Sequence, residues 1–135
     1  MKLFFDNCTS PLMARTLRGY LSETDIEVFH ARDIGLQNRT EIEWISHLSS
    51  TGYDWLVFTG DGKIRKNKAE REAYRRANLK GVVLAPAFQK TPMCKCCGVI
   101  VAKWDSLLDF TSRIEAPYLV ELSINFSSRY KVLPI

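Results

Sequence analysis

Lys2-Leu3-Phe4-Phe5-Asp6-Asn7-Cys8-Thr9-Ser10-Pro11 decides how the rest of the chain is read. Lys2 to Phe5 is a short apolar run, a strand in prospect, and it stops at an acid. Ser10-Pro11 then marks a helix start, with serine as N-cap and proline at the first helical position. Leu12, Met13, Leu17, Tyr20 and Leu21 recur at helical spacing behind it, with Arg15 and Arg18 off that face. A strand thus ends in Asp6 and gives way within a few residues to an amphipathic helix.

The same unit recurs downstream. Ile26–Phe29 reads as a second strand, leading into His30-Ala31-Arg32-Asp33. Thr40 begins the next helix, and Glu43 three residues on completes a capping box. Ile42, Trp44, Ile45 and Leu48 form that helix's apolar stripe. Trp55–Thr59 is a third strand, ending in Gly60-Asp61-Gly62, and Asn67 caps a helix from Lys68 to about Asn78. Val82–Ala85 is a fourth strand. Thr91-Pro92 repeats the cap-then-proline signal and opens a long helix reaching about Ile114, with Met93, Cys97, Ile100, Trp104, Leu107 and Leu108 among its apolar positions. Tyr118–Ile124 and Tyr130–Leu133 read as two closing strands paired through a turn near Ser127-Ser128. Alternating strands and helices predict an α/β fold, a mainly parallel sheet with helices on both faces, followed by two C-terminal strands. No linker or repeat interrupts residues 1–135, which are expected to form a single domain.

Composition excludes several classes. The chain has 135 residues, 46% hydrophobic and 25% charged, with a net charge of +4, which is ordinary for a globular protein. Its longest apolar runs fall well short of the ~18 residues a membrane helix needs. Asp6 interrupts the first apolar run, so no signal peptide is read, and a cytoplasmic protein without membrane contact is expected. Four cysteines and two histidines lack zinc-ligand spacing, and the thiols are expected to be free. The charge is patterned: residues 1–62 balance at −4 and residues 63–80 at +6. Such a split suits a phosphate-rich partner.

Sites on parallel sheets form beyond the carboxyl ends of the strands. Asp6, Asp33 and Asp61 fall there by sequence. Several acids at one edge repel unless a cation binds them, and hard oxygen donors select Mg²⁺ or Mn²⁺. Helix phase adds Glu41: Trp44 and Ile45 lie three and four residues on, so Glu41 borders the buried stripe, whereas Glu43 is claimed by the capping box. Glu70 borders the apolar side of its helix and is a further metal candidate. Glu72, with Arg75 and Arg76 ahead of it, reads as a surface ion-pairing residue. Lys63, Arg65, Lys66 and Lys68 follow Asp61, and the Asn67 cap presents a helix N-terminus. Carboxylates for a metal beside cations for phosphates are what metal-assisted phosphodiester hydrolysis requires. His30 and His47 have no motif context for nucleophilic catalysis.

Phe4-Phe5-Asp6-Asn7 with Ser10-Pro11, His30-Ala31-Arg32-Asp33, Glu41-Ile42-Glu43-Trp44-Ile45, Thr59-Gly60-Asp61-Gly62-Lys63-Ile64 and Asn67 to Glu70 together resemble a PIN-like domain. The likeness is strongest to the short VapC-type toxins of toxin–antitoxin pairs and spans residues 2 to about 75. It implies a Rossmann-like α/β/α sandwich and an endoribonuclease dependent on Mg²⁺ or Mn²⁺, with RNA as substrate. It also implies homodimers and an antitoxin protein that blocks the site. By this resemblance Asp6, Glu41 and Asp61 are the catalytic acids, and Asp33 matches a recurrent acid of the branch. A further acid usually follows the third shortly afterwards. Lys63 and its neighbours stand there instead, with Glu70 the nearest acid, and this departure admits a second reading as a catalytically degenerate RNA-binding module.

Overall fold

The computed structural model describes residues 1–60, 62–126 and 129–135. Six strands form one sheet: β1 (Lys2–Phe5), β2 (Glu27–His30), β3 (Trp55–Thr59), β4 (Lys80–Leu84), β5 (Tyr118–Leu122) and β6 (Lys131–Leu133). Their order is β2-β1-β3-β4-β5-β6; β1 to β5 run parallel, and β6 pairs antiparallel with β5. Helices α1 (Pro11–Tyr20), α2 (Glu41–Thr51), α3 (Lys68–Arg76) and α4 (Met93–Thr111) cover both faces. The architecture is the expected α/β/α sandwich with two C-terminal strands, and among the described residues no helix is long and apolar enough to cross a membrane. The turn expected at Ser127-Ser128 lies outside the described residues.

Two apolar cores flank the sheet. One joins α1 and α4 to Leu3, Phe5, Leu56, Phe58 and Val120; the other joins α2 and α3 to Phe4, Val57, Val83 and Leu119. Successive residues of β1 thus serve opposite cores, as the two-residue strand period requires. Parallel strands buried on both sides read as unbroken apolar runs, and β3 is buried throughout.

Local signals explain most boundaries. Ser10 Oγ accepts from the Leu12 N–H at 3.1 Å. Thr40 and Glu43 make the reciprocal capping box that begins α2, with the Glu43 N–H on Thr40 Oγ1 at 3.2 Å. Asn67 caps α3 through the Glu70 N–H at 3.1 Å. Gly52, at φ 73°, ends α2 in the left-handed conformation that glycine enters without strain. One expected cap differs. Thr91 Oγ1 donates to the Ala87 carbonyl at 2.7 Å, so the N-cap of α4 falls on Pro92 without a side-chain bond.

The helix stripes also shift from the sequence reading. Leu12 and Tyr20 are about half exposed, because the 12–16–20 row of α1 lies one step round from the buried Met13–Leu17–Leu21 row. Ile42 is 47% exposed and lines a groove of about 410 Å³ between α2 and α3 rather than the core. Along α4, Cys96, Val99 and Lys103 are buried as well. Lys103 Nζ donates to the Ser123 and Asn125 carbonyls at 2.8 and 2.7 Å, tying α4 to the segment after β5, and burial pushes its pKa down. Gly81 in β4 is required by packing: a Cβ there would lie 2.2 Å from the Tyr74 hydroxyl, which crosses the strand to donate to the Tyr118 carbonyl at 2.8 Å.

Candidate functional site

The strand order reverses direction between β1 and β3, since the chain leaves β1 for the β2 edge and returns to add β3 on the other side. Such a switch point leaves a crevice beyond the carboxyl ends of the two strands. Asp6 stands there, fully buried, immediately after β1. Its Oδ1 accepts the Cys8 N–H at 3.0 Å and the Gly60 N–H at 3.4 Å, so the turn after β1 and the turn after β3 meet on one carboxylate. The two turns touch closely enough to require glycine. A Cβ on Gly60 would lie 2.2 Å from the Cys8 carbonyl oxygen.

The layer beneath is aromatic. Phe5 and Phe58, the residues leading into Asp6 and Thr59, stack at 4.4 Å with their rings nearly parallel. Phe4, on the opposite face, packs on Trp44 at 5.1 Å. The Trp44 indole N–H in turn donates to Glu41 Oε2 at 2.8 Å. Helix phase therefore placed Glu41 correctly on the buried side of α2, one turn below Trp44. Glu43 is spent on the cap and on Arg39, and its pKa is held low, first by the Thr40 N–H, then by the Thr40 hydroxyl and Arg39.

Asn7 fixes the entry to α2. Its amide donates to the Leu36 and Arg39 carbonyls at 3.0 and 3.4 Å, and its Oδ1 accepts the Asn38 N–H at 3.3 Å. The residue following Asp6 thereby sets where Glu41 begins its helix. As a result, one donor atom each from Asp6, Cys8 and Glu41 falls within 4.8 Å of the others. Two carboxylates and a thiol, one buried, one half-buried and one exposed, make a donor set that fits a divalent cation reached from solvent. Cys8 was not foreseen. Ligand spacing among cysteines and histidines could not reveal it, because its neighbours here are acids.

The remaining sequence candidates divide. Asp61 lies outside the described residues. Asp33 accepts the His30 N–H at 2.8 Å and Arg18 Nη2 at 2.6 Å, which anchors the 3₁₀ turn Ala31–Ile34 after β2. Burial works against its charged form, but the His30 N–H and the Arg18 guanidinium outweigh it and hold its pKa below the usual range. His30 is buried, with Nδ1 accepting the Arg32 N–H at 3.1 Å and Nε2 against the Thr9 carbonyl at 2.9 Å. Through these two contacts the His30 ring ties β2 to the turn that carries Asp6 and Cys8. Glu70 is half-buried in the first turn of α3 and, among the described residues, is not grouped with Asp6 and Glu41.

The basic stretch is partly ordered toward one place. Lys63, Lys66 and Lys68 are exposed. Arg65 Nε donates to the Pro134 carbonyl at 3.2 Å, and Arg71 Nη1 donates to the Arg65 carbonyl at 3.2 Å. With Arg75, one helical turn beyond Arg71, these arginines line a shallow pocket of about 300 Å³. Among the described residues none of the three meets a carboxylate in an ion pair, and Glu72 forms no pair with Arg75 or Arg76. Arg71 and Arg75 were absent from the sequence candidates; the Arg71–Arg65 and Arg65–Pro134 contacts bring them into one pocket with Arg65.

A family model described as a PIN-like domain matches residues 1–86, well over half of the chain. The chain belongs to the PIN-like domain family. The match holds β1 through β4, hence Asp6, Glu41, Asp61 and the basic stretch; α4, β5 and β6 lie beyond it. PIN-like domains are generally nucleases and typically use divalent metal ions, which agrees with the Asp6–Cys8–Glu41 group at the switch point. Comparison with curated proteins and with solved structures returns no match.

Proposed function

We propose that this PIN-like chain is a metal-dependent endoribonuclease of the VapC-type toxin class. The observation that carries this reading is the convergence of Asp6 and Glu41, from elements 35 residues apart, on one point beyond β1 and β3. Asp6 and Glu41, with Asp61 following Gly60 in the chain, would hold Mg²⁺ or Mn²⁺. Such an ion supplies an activated water and offsets charge on the phosphorane-like transition state. The protein's part is positional. Asp6 is locked by two backbone N–H groups and Glu41 by the Trp44 indole, so neither carboxylate must reorganise as charge develops.

RNA is the substrate class, since the cations of residues 63–80 and the Arg65–Arg71–Arg75 pocket suit a phosphate backbone. Lys63, Arg65, Lys66 and Lys68 contact that backbone in this account. Asp33 and Glu70 have lesser parts: Asp33 anchors the loop behind the site, and Glu70 is the nearest reserve acid. A toxin of this class works in the cytoplasm, assembles as a homodimer and is silenced by a cognate antitoxin protein.

Incubation of the purified protein with varied RNAs and Mn²⁺ or Mg²⁺ tests the proposal. Cleavage that is removed by chelation and lost in Asp6→Asn is the expected result; intact RNA with both metals, with no toxicity on expression, overturns it. Lys63 at the place of the family's usual later acid favours one competing reading, an RNA-binding module without catalysis. Retained RNA affinity with no Mn²⁺ binding would establish that alternative.

A further inference from the structure

We infer that Cys8 is a third metal ligand, and that its thiolate makes the site prefer thiophilic divalent cations of the Zn²⁺ and Co²⁺ class over Mg²⁺. The inference rests on the proposed reading that Asp6 and Glu41 hold a metal, and it names the ion that their neighbour selects. Carboxylates alone suit Mg²⁺ and Mn²⁺, whereas a sulfur donor shifts a mixed site toward borderline and soft ions.

Geometry supports Cys8 as a ligand rather than a bystander. Its thiol is within 4.8 Å of both carboxylate donors. A four-coordinate ion with metal–sulfur bonds of about 2.3 Å and metal–oxygen bonds of about 2.0–2.2 Å holds its ligands some 3.5 Å apart. An approach of no more than about 1.3 Å between any two donors therefore closes the set. Three contacts fix the backbone that carries the thiol. The Cys8 N–H is held on Asp6 Oδ1, the Thr9 N–H donates to the Asp6 carbonyl at 3.1 Å, and Gly60 closes on the Cys8 carbonyl. Exposure of Cys8 leaves an entry path for the hydrated ion. Binding breaks the Sγ–H bond and forms the Sγ–metal bond, with the proton released to solvent. The other three cysteines sit in the first turns of α4, and none joins this group among the described residues.

Cobalt reports sulfur ligation directly. Under a non-thiol reductant, Co²⁺ is titrated into the wild-type protein and into Cys8→Ser, and the near-ultraviolet sulfur-to-cobalt charge-transfer band is recorded. Displacement of Co²⁺ by Zn²⁺ and by Mg²⁺ then gives their relative affinities, and calorimetry with Mn²⁺ checks that each protein still binds a hard ion. The wild type should show the band; Cys8→Ser should lack it, keep Mn²⁺ affinity within a few-fold, and lose on the order of tenfold or more of its preference for Zn²⁺ over Mg²⁺. A band unchanged in Cys8→Ser assigns the sulfur to α4 and overturns the inference. Mn²⁺ binding without any band overturns it too, while leaving the metal-dependent reading intact. If neither Mn²⁺ nor Co²⁺ binds, both fall together.

Discussion

Gly60→Ala is the smallest change that should separate the two turns of the site. A Cβ at position 60 would lie 2.2 Å from the Cys8 carbonyl oxygen and 2.7 Å from its carbonyl carbon, both backbone atoms that no rotamer change can move aside. Reaching even a 3.0 Å contact requires the turns to open by about 0.8 Å. That displacement lengthens the Gly60 N–H to Asp6 Oδ1 bond beyond its present 3.4 Å and frees the Asp6 carboxylate to rotate. Misplacing a reacting group by about 1 Å costs on the order of 10²-fold in rate. Overpacking of this kind costs roughly 1–3 kcal/mol in stability, or several degrees of Tm in a chain of this size. Gly62→Ala is the internal control, because a Cβ at that position meets nothing within 4 Å. Mn²⁺ calorimetry and single-turnover RNA cleavage, both run well below the Tm of the variant, read the effect. Gly60→Ala should bind Mn²⁺ at least tenfold more weakly and cleave about 100-fold more slowly, with Gly62→Ala close to wild type. If a folded Gly60→Ala protein binds and cleaves normally, contact between the turns does not organise the site.

Other perturbations probe the supports one at a time. Trp44→Phe removes the indole donor to Glu41 while keeping an aromatic ring against Phe4; metal affinity should fall about 10–100-fold, and calorimetry beside a melting curve separates that loss from the smaller packing defect. Tyr74→Phe removes the hydroxyl's buried hydrogen bond to the Tyr118 carbonyl and should cost about 0.5–1.5 kcal/mol. Gly81→Ala collides with that same hydroxyl, so the double variant should be more stable than the two single losses predict; additive denaturation energies would contradict the proposed clash. Asp33 has a folded pKa below its unfolded value, so its contribution is present above about pH 3.9 and lost as acid carries the protein down through the folded pKa. Asp33→Asn should therefore be less stable near neutrality and lose less than wild type on acidification, as a pH series of urea midpoints would show.

Local chemistry made much of this fold readable. Ser10, Thr40 and Asn67 each have a side chain that can satisfy a helix N-terminus, and all three cap the helices assigned to them. Glu41 could be separated from Glu43 because one helical period links it to Trp44 and another purpose claims its neighbour. Strand order was not legible, since nothing local says that β3 lies beside β1 rather than β2. That order brings Gly60 onto the Cys8 backbone and Glu41 beside its thiol, a grouping that no local spacing of cysteines or histidines signals. Asp33 shows the complementary limit. An acid just past a strand has the same sequence signature whether it faces a cation or, as here, caps a turn and pairs with Arg18 from another helix. Arg71 and Arg75 line one pocket with Arg65 only through the folded contacts of Arg71 with the Arg65 carbonyl and of Arg65 with Pro134, which no local sequence signal marks.

The central claim is that a divalent ion is held beyond β1 and β3 by Asp6 and Glu41. Paramagnetic broadening by substoichiometric Mn²⁺ in an amide-resolved NMR spectrum measures it where it happens. Amides of Cys8, Glu41 and Gly60 should broaden first in the wild-type protein, and the effect should vanish in Asp6→Asn. Broadening centred on Asp33 or Glu70, or no selective broadening at all, would contradict the account.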